Sequence, residues 1–462
     1  MHIQRCAILA STLVITACAN MSAGNLFSHY SAQNADVYQA VQRGDYQRAQ
    51  EALPDSVAGD ILDNLEKGRV HFLNQTYSDS KAAFELSDQA VRAQQDRATV
   101  SVSETLTSVS SLAVNDNLNE YQPADYELGF LHLYLGLNYL QQNQLEGALI
   151  EMRRANQVQE RAKQEREKEL AKAQSNMQAQ GLSPNLGSVL SNYPDAGKTL
   201  AAVQNAYLLY LSALLYEADN DLNAAYVDYR RALAVAPDNQ QIIDGTMRVA
   251  TRLGMKEDLI KLEQRYGKAS LLESDKARVI VLDEQGIVTA LQGWKQSLPL
   301  YDSRNNVAFY TIALPYYPPA SPERFTPLTL NQAPLKESRL TDVNAMAQRD
   351  LSERITAMVI RQALRVWAKD QLRKEATQGD DVGNLVFNIW NTLTEQPDTR
   401  SWLTLPGHVA SSSRVVEPGT QSIRVNNQDY PFDVAAGRTA LVWVSRQGEN
   451  ATIWHKQLGS IR

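Results

Sequence analysis

Residues 206–239 read AYLLYLSALLYEADNDLNAAYVDYRRALAVAPDN, and their spacing decides the architecture of the first half of the chain. Two apolar helical runs flank a short polar turn at Asp219-Asn220-Asp221. In the first run, counted from Leu209, Ala213 takes a small-residue position and Tyr216 an aromatic one; in the second, Ala225 and Ala232 are small and Tyr229 is aromatic. Small residues let two antiparallel helices approach closely, aromatic ones fill the gap to the next pair, and Pro237 stops the second helix.

That is the register of the 34-residue tetratricopeptide repeat. Outward from it, a second instance begins at His132, HLYLGLNYLQQNQLEGALIEMRRANQVQE, with Leu135, Gly136, Tyr139, Ala148, Met152 and Ala155 in register. A weaker one spans 64–90, where Gly68, Tyr77 and Phe84 fit and Ser80 and Ser87 replace alanines. ADVYQAVQRGDYQRAQEAL, around Gly44, reads as a further helix pair, and MKEDLIKLEQRYG, from Met255, as a capping helix. The sequence therefore predicts a tetratricopeptide-like domain over 35–267, interrupted by a Ser/Thr-rich loop at 98–122 and by a charged helical extension and loop at 157–197. Within that loop Asp195-Ala196-Gly197-Lys198-Thr199 ends like a phosphate-binding loop, but Asn192 stands where that motif needs glycine, so nucleotide binding is rejected.

After Gly267 the pattern changes, and 268–462 reads as a mixed α/β domain, giving an α+β chain overall. ARVIVLDEQGIVTAL suggests two apolar strands around an Asp-Glu-Gln-Gly turn, and NVAFYTIALPYY another strand. Six prolines in 314–336 indicate an extended crossing. A long amphipathic helix is expected over 343–376, basic through Arg349, Arg354, Arg361, Arg365 and Lys369, then a short helix near 384–393. TQSIRVN, TALVWVSR and ATIWHKQL are expected as three antiparallel strands.

The chain has 462 residues, 44% hydrophobic and 21% charged, an ordinary globular composition. With 45 basic against 52 acidic side chains its formal charge is -7, which argues against nucleic acid as a partner. Both cysteines, Cys6 and Cys18, fall near the start, so neither a disulfide framework nor a thiolate metal site can form downstream. Residues 1–17 read MHIQRCAILASTLVITA: one arginine, then an apolar run too short to span a bilayer, which marks an export signal. Ile15-Thr16-Ala17-Cys18 resembles the bacterial lipobox, implying a diacylglycerol-modified Cys18 and a lipidated linker over 18–34. No Asp follows the cysteine, which resembles the pattern of lipoproteins sent to the outer membrane.

Tyr126-Glu127 leading into LHLYLGLNYL, then ALIEMRRAN, and later DTRSWLTLP after the basic helix, resemble a functionally uncharacterised family of bacterial outer-membrane lipoproteins with a tetratricopeptide-repeat half. The resemblance covers most of the mature chain and implies location and architecture, not a reaction.

Chemistry is sparse. The six histidines are scattered and none has a second histidine at metal-ligand spacing, so no metal and no cofactor is expected. No nucleophile elbow or dinucleotide fingerprint appears, and no catalytic residue is assigned. Glu127, Tyr139, Glu151, Arg153, Arg154, Tyr216 and Tyr229 are candidates for binding a partner in the concave groove of the repeats. Such charges serve equally as ion pairs between repeats. Asp398, Arg400, Trp402 and His408 form a second candidate cluster, either an Arg-carboxylate staple beneath a tryptophan or a ligand contact. The expected function is a non-enzymatic envelope scaffold that binds a periplasmic or outer-membrane protein through its repeat groove and the membrane through Cys18. The alternative is a peptidoglycan-binding protein or enzyme with its site in the C-terminal half. A polar, aromatic-lined cleft in residues 270–462 would favour the alternative, and an open groove over residues 126–237 the scaffold.

Overall fold

The computed structural model describes residues 30–101, 120–179, 183–184, 205–268, 272–301, 307–319, 323–377, 397–459 and 461. The expected signal peptide, Cys18, Asp195 to Thr199 and the short helix near 384–393 lie outside them.

Ten helices of the first half pair into five hairpins: α1 (Ala35–Gln42) with α2 (Tyr46–Glu51), α3 (Asp60–Leu73) with α4 (Tyr77–Ser101), α5 (Asp125–Gln141) with α6 (Leu145–Ala179), α7 (Ala206–Ala218) with α8 (Leu222–Val235), and α9 (Gln240–Arg252) with α10 (Lys256–Tyr266). The same turn closes all five. Gly44, Gln75, Asn143, Asn220 and Gly254 take up the left-handed conformation. The following amide in each case reaches back five residues, to the carbonyl of Ala40, His71, Tyr139, Tyr216 or Ala250, always at 2.9 Å. This arrangement satisfies carbonyls orphaned at a helix end, and glycine or asparagine tolerates it best. Asp45 and Asp221 then start the next helix by accepting the amides of Arg48 and Ala224.

Within and between the hairpins the small residues sit where helices touch. A Cβ on Gly68 would lie 2.5 Å from the Phe84 ring, and one on Gly245 2.3 Å from the Tyr229 ring. Ser80 and Ser87 are buried in alanine positions because each hydroxyl donates to a carbonyl of the facing helix, Gly68 at 2.8 Å and Ile61 at 2.9 Å.

The second half is built on β1 (Ala277–Gln285), β2 (Gln292–Tyr301), β3 (Val307–Tyr316), β4 (Ser338–Asp342), α11 (Val343–Thr377), β5 (His408–Val416), β6 (Gly419–Val425), β7 (Gln428–Val434), β8 (Thr439–Gln447) and β9 (Asn450–Gln457). Five strands form the main sheet in the order β9-β8-β1-β5-β4, with β1 and β8 parallel and the other pairs antiparallel. The β6-β7 hairpin belongs to a smaller sheet, and β2-β3 packs with α11 around Ile312, Ile355 and Val359.

Two expectations fail against the fold. The three C-terminal runs do not form one antiparallel set: TQSIRVN pairs with 428–434 in the smaller sheet, and TALVWVSR lies parallel to β1. Asp283-Glu284-Gln285 is no turn, either. All three residues continue β1, and Asp283 and Glu284 are buried. Strand geometry sends them to opposite faces, and each meets an arginine: Asp283 with Arg446 at 2.6 Å, Glu284 with Arg69 at 2.7 Å. Two adjacent acids read as a turn only when their partners, far away in sequence, are unknown.

The alternation of β1 and β8 makes the main sheet the middle layer of three. Ile280, Leu282, Leu441 and Trp443 join the core shared with the helices. Val279, Val281, Val442 and Val444 join the core beneath β6-β7.

Candidate functional site

The first helices of the hairpins form the wall that meets the sheet. Arg69 of α3, Tyr134 of α5 and Tyr207 of α7 all converge on Glu284, with the two hydroxyls 3.2 and 3.0 Å from its carboxylate. The Trp443 indole donates to the same carboxylate at 3.2 Å. At the next helix, Asn239, the N-cap of α9, donates to the Ser411 hydroxyl at 2.9 Å. The inner face of the helical half is thus covered by the chain's own sheet.

Two further buried carboxylates clamp the segment 402–404. Glu127 accepts the amides of Trp402 and Ala124 at 2.7 and 2.8 Å and the Tyr121 hydroxyl. Glu66 accepts the Leu403 amide and the Thr404 hydroxyl, both at 2.6 Å, and the Tyr30 hydroxyl at 3.3 Å. Burial raises both acids, Glu66 to about 7, while these donors hold them down. Burial and the adjacent carboxylates also push the Tyr30 and Tyr121 phenols well above their usual range.

Beside this clamp opens a cleft of about 460 Å3 between α5, α11 and the segment 398–401. Tyr121, Tyr126, Tyr317 and Glu127 line its depth. One face of α11 supplies Asp350, Arg354, Met358 and Arg361, which recur at helical spacing. Asp398 and Arg400 line it from the loop. They form a two-pronged pair at 2.9 and 2.7 Å, and the guanidinium also lies 5.7 Å from the centre of the Tyr121 ring.

The sequence candidates therefore scatter. Glu127 does not share a surface with Glu151, Arg153 and Arg154; it sits in the seam, 1% exposed. Glu151 meets His132 at 2.7 Å and Arg154, which in turn bonds Asp88 of the preceding hairpin. Arg153 donates to the Tyr216 hydroxyl of the following hairpin at 3.1 Å, and Tyr139 to Glu85 at 3.3 Å. Tyr229, fully buried, donates to Glu217 at 2.9 Å and accepts from Arg248. The contacts of Arg154 with Asp88, Arg153 with Tyr216, Tyr139 with Glu85 and Arg248 with Tyr229 stitch hairpin to hairpin; the others close a single hairpin. Asp398 and Arg400 reach the cleft, whereas Trp402 is buried against Phe84 and Tyr134. His408 opens β5 and lies 3.4 Å from Asp342, away from the cleft lining.

Sequence reasoning missed Tyr121, Tyr317, Arg354 and Arg361 as neighbours, because they come from segments joined only by the fold. One signal was available. In 206–217 every face of the helix is apolar, and all of those residues are buried, which is what a helix covered on both sides requires.

No family model and no curated protein matches this chain. Among solved structures, the TPR2AB domain of yeast Sti1 in complex with pHSP90 aligns at 9% identity over 51% of this chain and 88% of that one, with a TM-score of 0.21, a likeness too slight to bear on fold or function. Among the described residues, no helix is long and apolar enough to cross a membrane.

Proposed function

We propose that this protein is a non-enzymatic lipoprotein of the bacterial outer membrane, anchored through Cys18 and facing the periplasm, that binds peptidoglycan in the seam cleft. The observation that carries the reading is the placement of a polar cleft floored by tyrosines between α5, α11 and 398–401, while the inner face of the helices is occupied by the sheet. Concave, mixed polar and aromatic sites of a few hundred Å3 suit small ligand segments. The five identical turns support reading the helical half as tetratricopeptide-like, and here it serves as a frame for the cleft. Co-sedimentation of the detergent-solubilised full chain with purified peptidoglycan sacculi tests the reading. Retention in the pellet, reduced at least tenfold by Arg361→Glu, is expected; a wild-type protein that stays in the supernatant refutes it.

A second reading, a scaffold for a protein partner, is favoured by one observation on the outer helices. Leu86, Ile150, Val227 and Ile260 are between 46 and 56% exposed, one on the second helix of each of four hairpins. Crosslinking in cells through residues placed at Ile150 and Val227 tests it: a defined protein adduct supports a scaffold, and its absence removes that reading.

A further inference from the structure

We propose that the seam cleft takes a short zwitterionic peptide, about three residues long, so that the peptide stem of peptidoglycan rather than its sugar strand is the recognised element. The inference rests on the cleft being the binding site for peptidoglycan.

Both signs of charge occur among the residues that line the cleft. On α11, Asp350 stands in line with Arg354 and Arg361. Glu120, Asp398 and Arg400 line the cleft as well, with Lys172 of α6; Glu120 pairs with Arg97 of α4 and Asp398 with Arg400. Asp350 pairs with Arg354 at 3.6 Å, and Glu127 is held by three internal donors, so the lining presents ion pairs of both signs and a ligand of one sign meets like charge beside each opposite one. Like-charge juxtaposition is unfavourable, and this selects against polyanions and polycations alike. A neutral sugar strand has no charge to exchange for the water that these groups would lose. A ligand carrying both carboxylate and ammonium groups complements both signs.

The spacing sets a length. Arg354 and Arg361 are seven residues apart on one helix, roughly 10 Å along its axis. Three extended peptide residues span roughly the same distance. The buried phenols of Tyr121, Tyr126 and Tyr317 supply a floor that offers ring surface to peptide methylenes.

The test is calorimetric titration of the full chain in detergent with three probes: the stem tripeptide L-Ala-γ-D-Glu-meso-diaminopimelate, the same tripeptide with its carboxylates amidated, and an N-acetylglucosamine tetramer. The free tripeptide is expected to bind at least tenfold more tightly than either of the others. Arg361→Gln, and independently Lys172→Gln on the exposed surface of α6, are each expected to weaken it at least threefold while the chain still unfolds cooperatively, the Lys172 variant at an unchanged melting temperature. If the sugar tetramer binds as well as or better than the tripeptide, peptidoglycan binding stands and this inference falls. Equal affinity for the amidated tripeptide overturns the charge argument, and binding of none of the probes overturns both the inference and the reading beneath it.

Discussion

Replacing Glu284 with glutamine removes one charge from the junction on which both halves of the chain converge. Arg69 is completely buried and has Glu284 as its ion partner at 2.7 Å; its remaining bonds go to neutral groups, the Thr404 carbonyl at 3.2 Å and the Ser445 hydroxyl at 3.1 Å. A buried cation deprived of its counterion costs about 3–5 kcal/mol, several times what an exposed pair contributes. Removing both charges in Arg69→Met/Glu284→Gln leaves an apolar side chain of similar reach and no stranded charge, so the double variant is expected to be more stable than Glu284→Gln. Urea unfolding followed by tryptophan fluorescence reads this directly, because the fully buried Trp443 indole is itself bonded to Glu284 at 3.2 Å. A loss below about 1 kcal/mol for Glu284→Gln, the range of surface pairs, would refute the reasoning. So would a double variant weaker than the single one.

Three further outcomes are expected. Glu66 titrates at about 7 in the folded chain against an ordinary 4.5, so between those values the folded state holds a proton that the unfolded state has released. Its contribution is full below pH 4.5 and lost as pH rises through 7, about 3 kcal/mol in all; Glu66→Gln should flatten that slope in stability measured from pH 4.5 to 8, and an unchanged slope would exclude Glu66 as its source. Gly44→Ala should destabilise by about 2–4 kcal/mol in thermal unfolding, since the residue has φ +73° and a Cβ would lie 2.6 Å from the Gln447 carbonyl oxygen; a neutral effect would mean that α1-α2 is not seated against β8. Cys18→Ser should abolish labelling by radioactive palmitate and release the protein from the membrane fraction, and a variant that stays labelled would remove the lipid anchor.

The register of residues 206–239 placed the helix pairs well because it is a local property. Ala225 and Ala232 are small for the same reason in any hairpin, and Asn143 and Asn220 mark their turns by backbone preference alone. The continuous apolar run within 439–447, buried along its whole length, likewise revealed a strand. The partners of that strand were not legible, since nothing within TALVWVSR indicates that it lies parallel to 277–285, some 160 residues earlier.

The cleft lies at the far end of this scale. Asp398 and Arg400 could be read together because they are two residues apart and bond each other. Joining them to Tyr121, Arg354 and Arg361 took the packing of α11 against α6 and β3 and the docking of the 402–404 segment onto α5, the latter held by Glu127 meeting the Trp402 amide at 2.7 Å. The sequence by itself determined most of the helix pairs, the long basic helix and several of the strands, because turns, caps and periodicity act over a few residues. Only the tertiary structure decided that the sheet covers the inner face of the helices and that a cleft forms at their edge, because burying Glu284 and Glu127 required donors more than a hundred residues away.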